Sequence, residues 1–358
     1  MAFRSCGTIG GGNGRLIVYY ISGHGFGHAS RSIELIRALV DKQPELQIAV
    51  KTAAPAWLFE GVPGAAYERF DADVGLIQTD SVTIDVAGTA ARAALFYRDF
   101  DRRADLEASW LQTARARLVI GDIPPLAHAA AARAGVASVA VGNFTWDWIY
   151  EAYATFERDA PDVIETIRDA YRQCTHALRL PLHGGFATVP RITDIPLIAR
   201  RSTRNRADTR RLLSIPDDRP SVLASFGAYG LDLPFDDIAR REGLTVISSP
   251  TAPPAALAYE DLVAAADVVV SKPGYGIVSE CVANGTPLLY TSRGQFIEYD
   301  VFVAEMPRLL RCRFMPQDDL RSGRWRTHVD ALLAQASPPD RARVDGADVA
   351  AKLILNLI

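Results

Sequence analysis

An α/β fold made of two parallel-sheet units is the class this sequence predicts, on three observations. Short apolar runs alternate with longer amphipathic segments from Leu16 to Val141, and the alternation resumes at Ser221. Each series contains one stretch that reads as strand, glycine-containing turn and helix: Tyr19 to Arg31 in the first, Ala266 to Tyr290 in the second. Between the series lies a Pro/Gly-rich connection that ends in a basic run, Arg200-Arg-Ser-Thr-Arg-Asn-Arg206 with Arg210 and Arg211. Strands alternating with helices at this spacing indicate parallel sheets covered on both faces.

The elements follow in chain order. Residues 1–14 end in Gly-Thr-Ile-Gly-Gly-Gly-Asn-Gly and read as a loose N-terminal arm; they lack the apolar segment of a signal peptide. Leu16 to Ile21 is the first strand. The helix after the turn places Ile33, Ile36 and Val40 on one face, with Leu35 and Leu39 beside it. Leu46 to Val50 and Tyr67 to Phe70 read as strands, with Trp57 to Glu60 a short helix between them. Val82 to Val86 reads as an irregular strand or a loop. A long Ala- and Arg-rich helix, with room for one break, covers Thr89 to Ala116. Arg117-Leu-Val-Ile-Gly-Asp122 is a buried strand that ends in a carboxylate. Pro124 to Ala134 is a helix with proline in its first turn, and Val136 to Val141 is the next strand. Pro161 to Cys174 is predicted helical and His176 to Leu180 extended. The second series has strands at Ser221, Leu244 to Ser248, Val268 to Val270 and Pro287 to Tyr290. A last helix is expected from about Arg341 to Leu357. The predicted units are therefore residues 15–200 and 201–340, with 341–358 as a C-terminal helix.

Composition narrows the function classes. The chain has 358 residues, enough for two cores, with 49% hydrophobic and 23% charged residues, as in a soluble globular protein. A net charge of −3 gives no electrostatic case for nucleic acid or an anionic membrane. No apolar run reaches membrane-spanning length. The four cysteines (Cys6, Cys174, Cys281, Cys312) form no C-x-x-C pair, and read as reduced thiols of a cytoplasmic protein. A monomer or homodimer is expected.

Two stretches carry chemistry. Gly23-His-Gly-Phe-Gly-His28 frees backbone for close approach to a ligand at the start of a helix, whose unpaired N–H groups face it. A phosphate loop has no use for two imidazoles, so this turn is expected to handle a proton as well. Lys272-Pro-Gly-Tyr-Gly-Ile-Val-Ser-Glu280 is the second stretch. Gly274 and Gly276 open a helix whose first amides suit a diphosphate, and Glu280 lies where a carboxylate can take ribose hydroxyls. The competing reading of this stretch is a structural βαβ turn with a solvent-facing glutamate.

Those two stretches occur in order with Gly121-Asp122 and Gly142-Asn-Phe-Thr-Trp-Asp147. The set resembles the glycosyltransferase-like N-terminal region of plant L-arabinokinases over about residues 15–355. More widely it is similar to nucleotide-sugar glycosyltransferases of the GT-B fold, two Rossmann-like domains facing each other across a cleft. The sequence ends where the arabinokinases' sugar-kinase half would begin and has no Gly-Leu-Ser-Ser-Ser-like phosphate loop, so kinase activity is not expected.

The resemblance implies roles residue by residue. His28 matches the histidine that acts as general base on the acceptor in inverting members, and Asp122 the aspartate that orients it. A hydroxyl is a poor nucleophile until a base of near-neutral pKa takes its proton, and a carboxylate on the far ring nitrogen fixes the tautomer. The competing roles are ligand shaping for His28 and a helix N-cap for Asp122. His24, Phe26, Asn143, Trp146 and Asp147 fall on the acceptor side, His24 more as a structural or binding group than a catalytic one. Trp146 is equally readable as a sugar platform or a core anchor. The amides of Gly274, Tyr275, Gly276 and Ile277 would cradle the diphosphate of a nucleotide-sugar, UDP-sugar in particular. Lys272 belongs to the same turn, Glu280 would hold the ribose, and Gly227, in Ser225-Phe-Gly227, would face the phosphates. Gln295 and Glu298, with Asp300, are candidates for the donor sugar, although Thr291 to Asp300 departs from the usual Asp-Gln pattern.

No cofactor and no metal site are expected. Asp71-Ala-Asp73 has the spacing of a metal–nucleotide motif but lies outside the glycine turns and reads as a solvated loop. The Arg200–Arg211 run reads as a solvated linker. Inverting transfer to a small-molecule acceptor is the reading, against a nucleotide-sugar 2-epimerase or a non-catalytic nucleotide-sugar-binding module. A dinucleotide-dependent dehydrogenase is disfavoured, because after Gly23 and Gly25 the third glycine of G-x-G-x-x-G is replaced by His28.

Overall fold

The computed structural model describes residues 16–79, 83–227, 231–248 and 257–358. The chain divides into two compact units. One takes the chain up to Ile77 with Asp85–Ile198 and Asp345–Ile358, the other Gln78–Ile84 with Ala199–Val344. The expected N-terminal arm lies outside the described residues, as does Val82 of the Val82–Val86 segment, whose Ile84 makes an isolated antiparallel bridge with Gln78.

The first unit is built on β1 (Leu16–Ile21), α1 (Gly25–Lys42), β2 (Gln47–Thr52) and β3 (Ala65–Arg69). It continues through α2 (Val86–Arg98), α3 (Phe100–Thr113), β4 (Leu118–Asp122), α4 (Pro125–Ala134) and β5 (Ser138–Gly142). Then come α5 (Trp146–Glu151), α6 (Ala154–Asp159), α7 (Pro161–Arg172), β6 (His176–Arg179) and β7 (Ile192–Asp194). The seven strands are ordered β3-β2-β1-β4-β5-β6-β7, all parallel. β1, β4 and β5 are buried along their whole length, as central parallel strands must be, and their apolar runs are what made them readable. Lys51 of β2 is only 2% exposed. Its ammonium sits 2.6 Å from Glu107 and 4.0 Å from the centre of the Trp110 ring, which compensates its burial.

The second unit comprises α8 (Arg206–Leu212), β8 (Ser221–Ala224), α9 (Phe235–Glu242), β9 (Thr245–Ser248), α10 (Tyr259–Ala265) and β10 (Val268–Ser271). It ends with α11 (Tyr275–Asn284), β11 (Leu288–Tyr290), α12 (Ile297–Leu309), β12 (Cys312–Phe314), α13 (Gln317–Ser322) and α14 (Arg326–Leu333). Its five strands run β12-β11-β10-β8-β9, again all parallel. Its core joins Val222, Val268, Val270 and Leu289 of the sheet to Ile238, Leu320 and Trp325.

Three expectations change. The long helix is two, broken at Asp99, which ends α2 and precedes α3. The last helix, α15 (Gly346–Leu355), starts later than Arg341 and belongs to the first unit: Gly346 N–H donates to Leu197 C=O at 3.0 Å and Asp348 pairs with Lys42. The basic run is not a solvated linker. Arg206 and Arg210 both reach Asp267, and Arg210 also bonds the Ala265 and Pro216 carbonyls, so the run staples α8 to the sheet. Cys174, Cys281 and Cys312 are free thiols. Among the described residues no helix is long and apolar enough to cross a membrane.

Candidate functional site

In an open parallel sheet, ligands bind beyond the carboxyl ends of strands where the strand order reverses. The first sheet reverses between β1 and β4, and the second between β8 and β10. His24, Phe26 and His28 follow β1, Asp122 ends β4, Gly227 follows β8 and Lys272 to Glu280 follow β10; Asn143, Trp146 and Asp147 come after β5, and Gln295 and Glu298 after β11.

In the first unit the turn after β1 needs Gly25, whose φ of +66° lies in the left-handed region. It launches α1, so that His28 arrives in the first turn and Arg31 one turn later on the same face. The His28 side chain is 10% exposed and its Nδ1 lies 2.8 Å from Oδ1 of Asp122, the last residue of β4, which is fully buried. Three other donors converge on that carboxylate. Arg31 Nε and Nη2 lie 2.7 Å from Oδ2 and 2.5 Å from Oδ1, and the Ser32 hydroxyl donates to Oδ2 at 2.9 Å. Burial alone would push the Asp122 carboxyl up. The Arg31 guanidinium, and after it His28, outweigh burial and hold the carboxyl at about 2.

The other first-unit residues surround this pair. Asn143 is buried, and its Oδ1 accepts from Arg31 Nη1 at 2.7 Å. His24 bonds the main chain of Leu76 through Nε2 and meets the Trp146 ring edge-on at 5.7 Å. Trp146 is 1% exposed, packed on Phe144 and Tyr150, which makes it a core anchor with no ring face open to a sugar. Asp147 is buried too, 3.9 Å from Arg168. Phe26 is half-buried and lies 5.6 Å from Trp57, whose 40% exposure makes it the accessible aromatic beside the turn.

Asp73 also departs from its sequence reading as a solvated loop residue. Asp71 is exposed, but Asp73 is partly covered and its Oδ2 accepts from Trp146 Nε1 at 2.9 Å. Burial pushes its carboxyl up to about 6, against the opposing pull of Ser22, His28 and Trp146. It is therefore a titratable group beside His28 and not a loop residue in water.

In the second unit Gly227 follows β8 with φ +69°, a conformation that favours glycine. Beyond β10, Gly274 precedes α11, so the N–H groups of Tyr275, Gly276 and Ile277 are those of a helix start. Lys272 Nζ donates to Gln78 Oε1 at 3.2 Å. Glu280 is 3% exposed, and its Oε1 accepts from Arg200 Nε and Nη2 at 2.7 and 2.5 Å. The solvent-facing glutamate is thus excluded. Arg200, partly buried over the Tyr259 ring at 4.9 Å, is a partner of the site that the sequence did not disclose. Gln295 is exposed, and Glu298 is buried with Arg293 Nη1 at 3.2 Å. Among the described residues no group of three or more His, Cys, Asp or Glu side chains is arranged to hold a metal ion.

Comparison with known proteins agrees on architecture. The chain is similar to the L-arabinokinase of Arabidopsis thaliana, 30% identical over 360 residues, which are 95% of this chain and 34% of the arabinokinase. It thus spans about one third of that relative's length. Among solved structures, a glycosyltransferase of kitacinnamycin superimposes with a TM-score of 0.62 at 16% identity, covering 97% of this chain and all of the other. The calicheamicin glycosyltransferase CalG4 gives 0.60 at 15%, covering 97% and 98%. A UDP-glucosyltransferase from Polygonum tinctorium gives 0.58 at 11%, covering 96% and 98%. The fold is GT-B. No family model matches the chain.

Proposed function

We propose that this chain is an inverting glycosyltransferase that moves a sugar from a nucleoside-diphosphate sugar, UDP-sugar first among them, to a hydroxyl of a small-molecule acceptor. The observation that carries the proposal is the 2.8 Å pair of His28 and Asp122 at the point where the first sheet reverses. With its proton on Nδ1 and Asp122 behind it, His28 has Nε2 available to take the acceptor proton. The acceptor oxygen then bonds to the anomeric carbon on the face opposite the diphosphate, and the anomeric carbon–oxygen bond to phosphate breaks.

The second unit supplies the donor side of this reading. The amides that begin α11 suit the negative charge gathering on the leaving diphosphate, so the reaction is read as metal-independent. Glu280, fixed by Arg200, is read as the carboxylate for the ribose hydroxyls. Lys272 and Gly227 would line the phosphates, and Gln295 and Glu298 the donor sugar. No organic cofactor enters.

A thermal-shift series with UDP, GDP, dTDP and their common sugars tests the donor half, because a ligand bound only to the folded state raises stability in proportion to its affinity. UDP and at least one UDP-sugar are expected to raise the melting temperature. A series in which no nucleoside diphosphate has any effect would remove the proposal.

A further inference from the structure

We infer that Asp73 selects the acceptor by taking a second hydroxyl beside the reacting one, which makes the acceptor class a sugar or another cyclic polyol. This rests on the transferase reading above and gives it a substrate class.

Two carboxylates act on His28, and their surroundings differ. Asp122 is fully buried, and four polar atoms already engage it: His28 Nδ1, Arg31 Nε and Nη2, and the Ser32 hydroxyl. A carboxylate has about four lone-pair positions, so Asp122 has none to spare for a substrate. Asp73 is only partly covered. Trp146 Nε1 donates to its Oδ2 at 2.9 Å, and the Ser22 hydroxyl also favours its charged form. With both counted, about half of its accepting capacity is left. Ser22 is the residue that follows β1, so the carboxylate lies at the same end of the sheet as the proposed base.

Holding Trp146 does not account for a charge at this place. A main-chain carbonyl or an asparagine would satisfy an indole N–H without the desolvation that lifts the Asp73 carboxyl to about 6. The carboxylate is also held still. Its loop is bonded at three places: Trp146 to Asp73, the Tyr150 hydroxyl to the Gly75 carbonyl at 2.8 Å, and His24 to the main chain of Leu76. Trp146 and Tyr150 are each 1% exposed, so these anchors belong to the core. Gly75, with φ +65°, packs so closely on the His24 ring that a Cβ would collide with it. A hydroxyl that meets so fixed a group need not order it first.

Desolvation then sets the choice of acceptor. A ring that covers Asp73 without offering a donor strips water from the carboxylate and leaves it unpaired, and sites built to bond a hydroxyl reject such analogues strongly. A ring with a neighbouring hydroxyl replaces that water. Hydroxyls suit this carboxyl better than an ammonium does. Raised to about 6, it lies nearer its neutral form than most, and a hydroxyl can donate to the anion or accept from the acid. Trp57, 40% exposed and edge-on to Phe26 at 5.6 Å, adds an aromatic surface beside the same turn for the C–H face of a sugar ring.

The test compares matched acceptors with the UDP-sugar that raises the melting temperature, reading glycosylated product by mass spectrometry. Cyclohexanol is set against cyclohexane-1,2-diol, myo-inositol, xylose and glucose. In the wild type, kcat/KM for the best polyol should exceed that for cyclohexanol by about 10²-fold or more; parity overturns the inference. Asp73→Ala should reduce that ratio by about 10- to 100-fold, the loss of a charge-assisted hydrogen bond, whereas an equal loss on both kinds of acceptor shows a structural role and also overturns it. Should Asp73→Ala not fold, Asp73→Asn, which keeps an acceptor for Trp146, should reduce the ratio by about tenfold. If nothing is transferred, saturation-transfer NMR decides: the polyols should contact the wild type and lose that contact in the variants, and no contact overturns the inference. Transfer that favours cyclohexanol counts against this inference alone. Polyol contact that depends on Asp73, in a protein that binds no nucleoside diphosphate, counts against the transferase reading alone.

Discussion

Arg200→Met removes the guanidinium that faces the carboxylate of Glu280 while keeping most of the side chain's apolar length. Glu280 is 3% exposed, and both of its contacts from Arg200 lie within 2.7 Å of one oxygen. The next acid, Glu260, is 3.8 Å from Arg200 and adds like charge once the arginine is gone. Stripping one partner from a buried pair costs about 3–5 kcal/mol, because the remaining charge is left without compensation. The Arg200 side chain is 20% exposed, so the lower end applies, about 3 kcal/mol. An arginine in a solvated linker would cost no more than about 1 kcal/mol. Urea unfolding at pH 7 separates these values. The loss should shrink at pH 5, since an uncompensated Glu280 is easier to protonate and a raised carboxyl favours folding at low pH. Arg200→Met with Glu280→Leu should be more stable than Arg200→Met alone. A loss below about 1 kcal/mol at pH 7 with no recovery at pH 5 refutes the reasoning.

Other consequences are as direct. The Asp122 carboxyl falls from an ordinary 3.8 to about 2, so its stabilisation is present above pH 4 and is lost as pH falls through 2; relative to Asp122→Asn, wild type should lose about 2–3 kcal/mol between pH 5 and 2 in acid-denaturation curves. The Asp73 carboxyl rises from 3.8 to about 6, so the sign reverses: wild type should lose stability as pH rises from 4 through 6, and Asp73→Asn should lack that slope. Glu280→Gln, which keeps the shape beside Arg200, should weaken nucleoside-diphosphate binding by about 1.5–3 kcal/mol in calorimetry on folded protein. Turnover should survive excess EDTA, because amides at the start of α11 carry the diphosphate in this account; full loss restored by magnesium would contradict it.

Sequence reasoning reached the central strands because burial on both faces forces apolar runs at β1, β4, β5, β8 and β10. It missed β7 and β12, where Ile192-Thr-Asp194 and Cys312-Arg-Phe314 are short, largely uncovered edge strands without such a run. Both glycine turns were legible, since a strand that meets glycines at a helix start has few other readings. Arg31, Asp73 and Arg200 were not. Each is a single polar residue whose meaning depends on a partner far along the chain: Asp122 for Arg31, Trp146 for Asp73, Glu280 for Arg200. One signal was available. Arg31 stands three residues after His28 and four before the buried Leu35 on one face of α1, where a charge needs a buried partner.

Steady-state kinetics of His28→Ala, with donor affinity measured on the same preparation, tests the central claim most directly. Loss of a general base reduces turnover by about 10²- to 10⁴-fold, and Asp122→Asn added to His28→Ala should do little further harm because the two act as one unit. Donor affinity should stay near the wild-type value, as His28 belongs to the first unit and the donor residues to the second. Near wild-type turnover in folded His28→Ala would contradict the account.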